Sequence, residues 1–141
     1  MLHVMNAENV KVFATAGNAI ITLESGSTGT RYTYKIRGKK NAKGNYTFWF
    51  VSLMVGSNND SDYSYLGYFK DDYKLAFSDK SCRKPNDKAS LAFSYFMSHI
   101  DDIPEKLHIY HSCKCGRCGR TLTTPESIER GLGPDCAGLI Y

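Results

Sequence analysis

Thr30-Arg31-Tyr32-Thr33-Tyr34-Lys35-Ile36-Arg37 is the stretch that decides the fold class. Its side chains alternate strictly, so that Tyr32, Tyr34 and Ile36 share one face and Arg31, Thr33, Lys35 and Arg37 share the other. A period of two is that of a β-strand buried on one side. Upstream, Ile20, Ile21 and Leu23 form a short apolar run, and the segment Gly26–Gly29 between the two runs reads as a hairpin loop. Downstream, a Gly- and Lys-rich loop over Gly38–Asn45 leads into Thr47-Phe48-Trp49-Phe50-Val51-Ser52-Leu53-Met54-Val55. That run is too continuous to be half-exposed and predicts a central strand. A polar turn over Gly56–Ser61 precedes a strand over Tyr63–Phe69, and Asp71-Asp72 turns it into another over Tyr73–Phe77. Five strands joined by short turns predict an antiparallel meander.

From Asn86 the period changes. Leu91, Ala92, Tyr95, Phe96 and His99 fall on one face of a helix near 87–100, with Asn86 or Asp87 as its N-cap, and this helix is expected to pack on the sheet. Pro104 stops it, and Leu107–Tyr110 reads as one more strand leading into a cluster of cysteines. The predicted class is α+β: an antiparallel sheet of about five strands with one packed helix, followed by a small treble-clef-like zinc finger. By residue, 1–18 is a flexible lead-in, 19–110 the β-rich body and 111–141 the finger.

Composition sets the outer bounds. A chain of 141 residues fits one domain or a small domain with an appendage, and is too short for a dinucleotide-binding enzyme with a separate substrate domain. With 13% aromatic and only 23% charged residues it does not read as disordered. The formal net charge of +4 does not by itself make a polyanion binder. No apolar run reaches the roughly 18 residues of a membrane span, and Met1–Lys11 does not read as a signal peptide. A cytoplasmic location is therefore expected, where thiols stay reduced. Five cysteines fit a disulfide framework poorly, and four of them crowd into positions 113–136.

Cys115-Gly-Arg-Cys118-Gly has the spacing of a zinc knuckle, in which two thiolates chelate one ion. Cys136, just after Gly133-Pro134, supplies a third thiolate from the first turn of a helix. For the fourth ligand both His111 and Cys113 lie on a strand pointing the same way as Cys115. His111 leaves a comfortable chelate, whereas Cys113 closes a tighter ring. The ligand set is read as His111, Cys115, Cys118 and Cys136, with Cys113 as the alternative to His111 and Cys82 more remote. Between the ligands, Thr124 is the expected N-cap of a short helix that starts at Pro125 and closes at Gly131. Four filled positions make the predicted zinc ion structural, one per chain, rather than catalytic. The His-x-Glu partner of a zinc deaminase is absent.

The stretch from His111 through Cys115-Gly-Arg-Cys118-Gly-Arg-Thr-Leu-Thr-Thr-Pro-Glu-Ser-Ile-Glu-Arg-Gly-Leu-Gly-Pro-Asp-Cys136-Ala resembles a zinc-binding domain of unknown function frequent in bacteriophage and prophage proteins. That domain is sometimes a tail on helicases or other DNA-processing proteins. Gly29-Thr-Arg-Tyr-Thr-Tyr-Lys-Ile-Arg37 and Val55-Gly-Ser-Asn-Asn-Asp-Ser-Asp-Tyr-Ser-Tyr-Leu-Gly67 are similar to the β-rich body of its stand-alone members. In that pattern a His precedes the knuckle, which favours His111; the extra Cys113 departs from it. The resemblance implies a metal and a phage context, and so the host cytoplasm, but no activity.

Two charged segments bear on partners. Arg31, Lys35, Arg37, Lys39, Lys40 and Lys43 fall within 31–43 with no acid among them, and Lys114, Arg117 and Arg120 cluster at the knuckle. A basic strand face flanked by aromatics can follow a phosphate backbone; it can equally be a solvated face whose lysines discourage aggregation. Asp60, Asp62, Asp71 and Asp72 make 57–72 acidic and read as turns. No catalytic constellation is found, and His3, His99 and His108 stand alone in sequence. The expected function is a small, phage-type zinc-binding protein acting as a non-enzymatic nucleic-acid-binding accessory factor. The alternative is a counter-defence inhibitor that acts on a host protein or sequesters a nucleotide.

Overall fold

The computed structural model describes residues 3–58 and 61–140, Ile140 by its backbone only. Its centre is a six-stranded antiparallel sheet in the order β1-β6-β2-β3-β4-β5. The strands are β1 (His3–Val4), β2 (Asn18–Ser25), β3 (Arg31–Lys40), β4 (Tyr46–Met54), β5 (Tyr63–Phe69) and β6 (Leu107–His111). The helices are α1 (Ala7–Ala14), α2 (Lys88–Ser98), α3 (Pro125–Arg130) and α4 (Pro134–Ile140).

The alternation in β3 does what its period predicts. Tyr34 and Ile36 are buried, opposite Ile21 and Ala19 of β2 on one side and Leu53 and Val51 of β4 on the other. These rows, with Leu23, Trp49, Leu66, Phe69 and Ile109, make the core face. Val10, Phe13 and Ala14 of α1 and Ala89, Phe93, Phe96 and Met97 of α2 close over it. The Phe93 ring lies 4.8 Å from that of Tyr34, whose hydroxyl donates to the Ala89 carbonyl at 2.7 Å. Burial pushes the Tyr34 phenol far up, so it stays a neutral donor.

Three expectations are corrected. About five strands with one packed helix understates the sheet and misplaces its edges: the architecture is mostly β, six strands with small helices. The expected strand over 73–77 shrinks to a single bridge between Tyr68 and Ala76, because the chain turns at Tyr73 with φ 55°. At the opposite edge the strand expected over 107–110 forms as β6 and joins the same sheet beside β2, and the two-residue β1, too short to leave a pattern, pairs with it.

Second, the lead-in over 1–18 carries β1 and α1. Val10, Phe13 and Ala14 are spaced as one helical stripe and all are fully buried. Third, α2 has the expected N-cap, Asp87, which accepts from the Ala89 N–H at 3.1 Å, but it turns another face inward. Leu91 and Tyr95 are 54% and 47% exposed, while Ala89, Phe93, Phe96 and Met97 are buried. Both stripes are apolar, and only the sheet beneath chooses between them.

Asp60 lies outside the described residues. Asp62 accepts from the Asn58 N–H at 2.9 Å and Asp72 from the Lys74 N–H at 3.2 Å, the local bonds of turn residues. Among the described residues no helix is long and apolar enough to cross a membrane.

Candidate functional site

After β6 the chain folds back on itself. Cys115 donates its N–H to the Arg120 carbonyl at 2.8 Å, and Lys114 bridges Thr121. Within that turn Gly119, at φ 78°, returns its N–H to the Cys115 carbonyl at 2.9 Å. α3 follows as expected: the Thr124 hydroxyl accepts from the Ser127 N–H, Pro125 opens the helix and Gly131 closes it in the left-handed conformation. α4 then carries Cys136 in its first turn.

This path brings the sulfurs of Cys115, Cys118 and Cys136 within 4.8 Å of one another. A tetrahedral ion with bonds of about 2.3 Å needs sulfurs about 3.8 Å apart, so a small contraction suffices and the donors fit a metal. Cys115 and Cys136 are buried in a small cluster with Ala16, Leu122, Leu132 and Ala137; Cys118 is exposed. Burial pushes the Cys115 thiol up, but hydrogen bonds from the backbone N–H groups of Cys118, Gly133 and Arg117 outweigh it and hold the thiol at about 7. Such N–H groups favour a thiolate. Burial also raises the Cys136 thiol, against which the Arg117 guanidinium donates to its Sγ at 3.6 Å.

Residues 105–141 match a family of unknown function (DUF6011). No curated protein and no solved structure matches the chain. The matched segment holds β6 and all three clustered thiols, and it stops short of α1 and β1–β5.

The remaining predicted ligands stay apart from the cluster. The His111 ring is 1% exposed and committed on both sides: Nδ1 accepts the Cys113 N–H at 3.0 Å, which leaves Nε2–H to donate to the Ile128 carbonyl at 2.7 Å. Cys113 sits at φ 60° and is not among the converging thiols. Cys82 lies against β5, its thiol 3.6 Å from the Ser64 carbonyl. Among the described residues, then, three cysteine sulfurs converge and no fourth His, Cys, Asp or Glu joins them. The sequence argument that four ligands fill the coordination sphere therefore loses its premise.

Sequence reading also missed how the module is seated. Gly116 and Gly131 both press on Phe13: a Cβ at either would come within 2.6 Å of its ring. The Gly116 carbonyl accepts from the Asn18 N–H at 2.7 Å, and Asn6 and Asn9 reach Glu129 at 3.0 and 3.1 Å. Helix α1 is thus packed between sheet and cysteines. Two glycines opposite one large ring leave no trace in local periodicity.

The second candidate surface is the outer face of the sheet, away from α1 and α2. Cross-strand register places Arg37 opposite Phe50 and Phe50 opposite Tyr68, Lys35 opposite Ser52 and Ser52 opposite Tyr65, and Lys39 opposite Phe48. Tyr65 reaches this face only because the β4–β5 register shifts between Val51 and Ser52. Leu66 is the extra residue of this bulge, and were the two strands paired regularly Tyr65 would share the inward side with Gly67 and Phe69. The rings form one surface: Phe48 stacks on Tyr68 at 4.9 Å and 13°, Phe50 lies 4.9 Å from Phe48, and Tyr65 lies 6.3 Å from Phe50. Lys35 stands over the Tyr63 ring at 4.6 Å and Lys70 over Phe48 at 5.8 Å.

Several of the predicted cations have partners of their own or lie off that surface. Arg31 is ion-paired with Glu24, and its guanidinium lies over Tyr110. Glu24 is bound to Arg31, to His108 Nδ1 at 3.1 Å and to the Tyr110 hydroxyl at 3.0 Å, which hold its carboxyl down at about 2. That His–carboxylate pair joins residues 84 apart, so it is invisible locally; among the described residues no Ser, Thr or Cys side chain completes it. Lys40 turns to the Tyr46 ring, Lys43 lies in the β3–β4 loop, and Arg117 faces Cys136. Arg120 is exposed at the knuckle, while Lys114 is half-buried there.

Proposed function

We propose that this protein is a non-enzymatic nucleic-acid-binding accessory factor whose C-terminal module is held by one structural zinc ion. One observation carries the reading. Across all six strands the only acidic residue is Glu24, matched by Arg31, while Lys35, Arg37 and Lys39 share an outer face with aromatic rings on which neither α1 nor α2 packs. A cationic surface of this kind attracts a polyanion, and counterion release makes such binding strongly salt-dependent.

For the metal, three thiolates are a soft donor set that suits zinc. The ion's structural role is supported by the seating of Cys115 and Cys136 in an apolar cluster too small to fold unaided. When bound, zinc supplies fixed cross-links between the knuckle and α4. The phage and prophage setting implied by the resemblance would place such a factor in the host cytoplasm.

The test is fluorescence anisotropy with labelled DNA and RNA over a salt series, using zinc-loaded protein. Affinity should fall linearly on a log–log plot against salt, and Lys35→Glu with Arg37→Glu should weaken binding at least about tenfold. Undiminished binding by that variant overturns the sheet-face reading. No binding to any polymer at low salt directs the search to a host protein or a nucleotide. Elemental analysis should return one zinc per chain.

A further inference from the structure

We infer that the outer sheet face takes single-stranded nucleic acid in preference to duplex, with unpaired bases stacking on Phe50 and the rings beside it. This rests on the nucleic-acid reading above and adds the class of polymer. A duplex attracts cations as strongly as a single strand does, but its base faces are already covered by neighbouring pairs. Aromatic rings on a protein surface therefore gain contact only from bases that are unstacked.

The face has both parts such a ligand needs, at matching positions. Phe50 is 38% exposed, although it sits mid-strand where burial would be expected. Phe48, Tyr65 and Tyr68, each half-buried, crowd around it to make a continuous aromatic patch. Cations border the patch: Arg37 is Phe50's cross-strand neighbour, Lys39 is that of Phe48, and Lys70 reaches the ring of Phe48 from beyond β5. Stacked bases on the rings thus leave their phosphates beside guanidinium and ammonium groups. The extra residue at Leu66 serves the same end, because it turns Tyr65 out of the core and onto this patch.

A neutral occupant would have no use for that border of positive charge. A second copy presents the same cations and would be repelled. Charge complementarity accordingly favours the polyanion, and the oligomeric state becomes an outcome of the test.

The experiment compares a fluorescein-labelled 20-nucleotide single strand of mixed DNA sequence, the same sequence as RNA, and its DNA duplex, at fixed salt. Single strands should bind at least about tenfold tighter than the duplex. Phe50→Leu keeps a side chain that a strand accepts and removes the ring. It should lose about fivefold or more in single-strand affinity, the factor expected from one stacked base, with the salt slope and duplex binding unchanged. Phe50→Trp should retain affinity and show quenched tryptophan emission on binding.

Duplex binding as tight as single-strand binding overturns this inference and leaves the nucleic-acid reading standing. Failure to bind any of the three polymers removes both. An unchanged affinity in Phe50→Leu, or no quenching in Phe50→Trp, also overturns it. A Phe50→Leu variant that changes the elution volume of the free protein while binding normally would assign the patch to contact between copies instead.

Discussion

Buried imidazole has two nitrogens to satisfy, and His111 satisfies both without a metal. Its Nδ1 takes a backbone N–H from Cys113, so the ring proton is on Nε2 and is given to Ile128. Burial lowers its pKa, against the Ile128 carbonyl and with His3, which keeps the ring neutral and suited to this double role. The ring therefore ties the end of β6 to α3. It follows that His111→Gln should leave the zinc content near one per chain while lowering stability by about 1–3 kcal/mol, the cost of disturbing buried hydrogen bonds. Cys136→Ser should release the metal. Elemental analysis of the two variants after identical dialysis decides the matter, and equal metal loss would make His111 a ligand. The knuckle and Cys136 were legible in sequence because chelation imposes its own spacing. The fate of His111 was not, because it depends on a carbonyl 17 residues on that only the folded chain brings within reach.

Among the elements, α1 has the largest effect for its length. Eight residues put Val10, Phe13 and Ala14 into the main core, while Val12 and the adjoining Ala16 join the cysteine cluster. Phe13→Ala should cost about 3–5 kcal/mol in urea denaturation, as for other large-to-small changes at buried aromatic sites. The same variant should surrender zinc to a competing chelator faster than the parent, since Gly116 and Gly131 are shaped around that ring. An unchanged rate would show that the knuckle stands without it. The strand β3 was readable because alternation is local, β2, β4 and β5 because apolar or aromatic runs stood between turns, and α2 was readable as a helix. Its inward face was not, since two apolar stripes compete on it. Nor was the Leu66 insertion, which shows only when two strands are laid side by side.

At the scale of the whole molecule, two apolar clusters share one short helix, and so the cysteine cluster and the sheet are mechanically linked. Stripping zinc with a chelator should raise hydrogen exchange at the amides of Cys115 and Leu132 first, and should also lower the Tm of the whole protein. A Tm indifferent to zinc would mean that the clusters melt independently. The sheet order could not be read ahead of the structure, because β6 returns to β2 across more than eighty intervening residues and nothing in either strand announces the pairing. The DUF6011 match begins at residue 105, yet the ring that Gly116 and Gly131 close upon comes from residue 13. In this chain the cysteine segment is therefore completed from outside the matched residues, by one apolar ring on a helix near the N-terminus. A piece cut at residue 105 would carry the three thiols and leave behind the ring they are seated on.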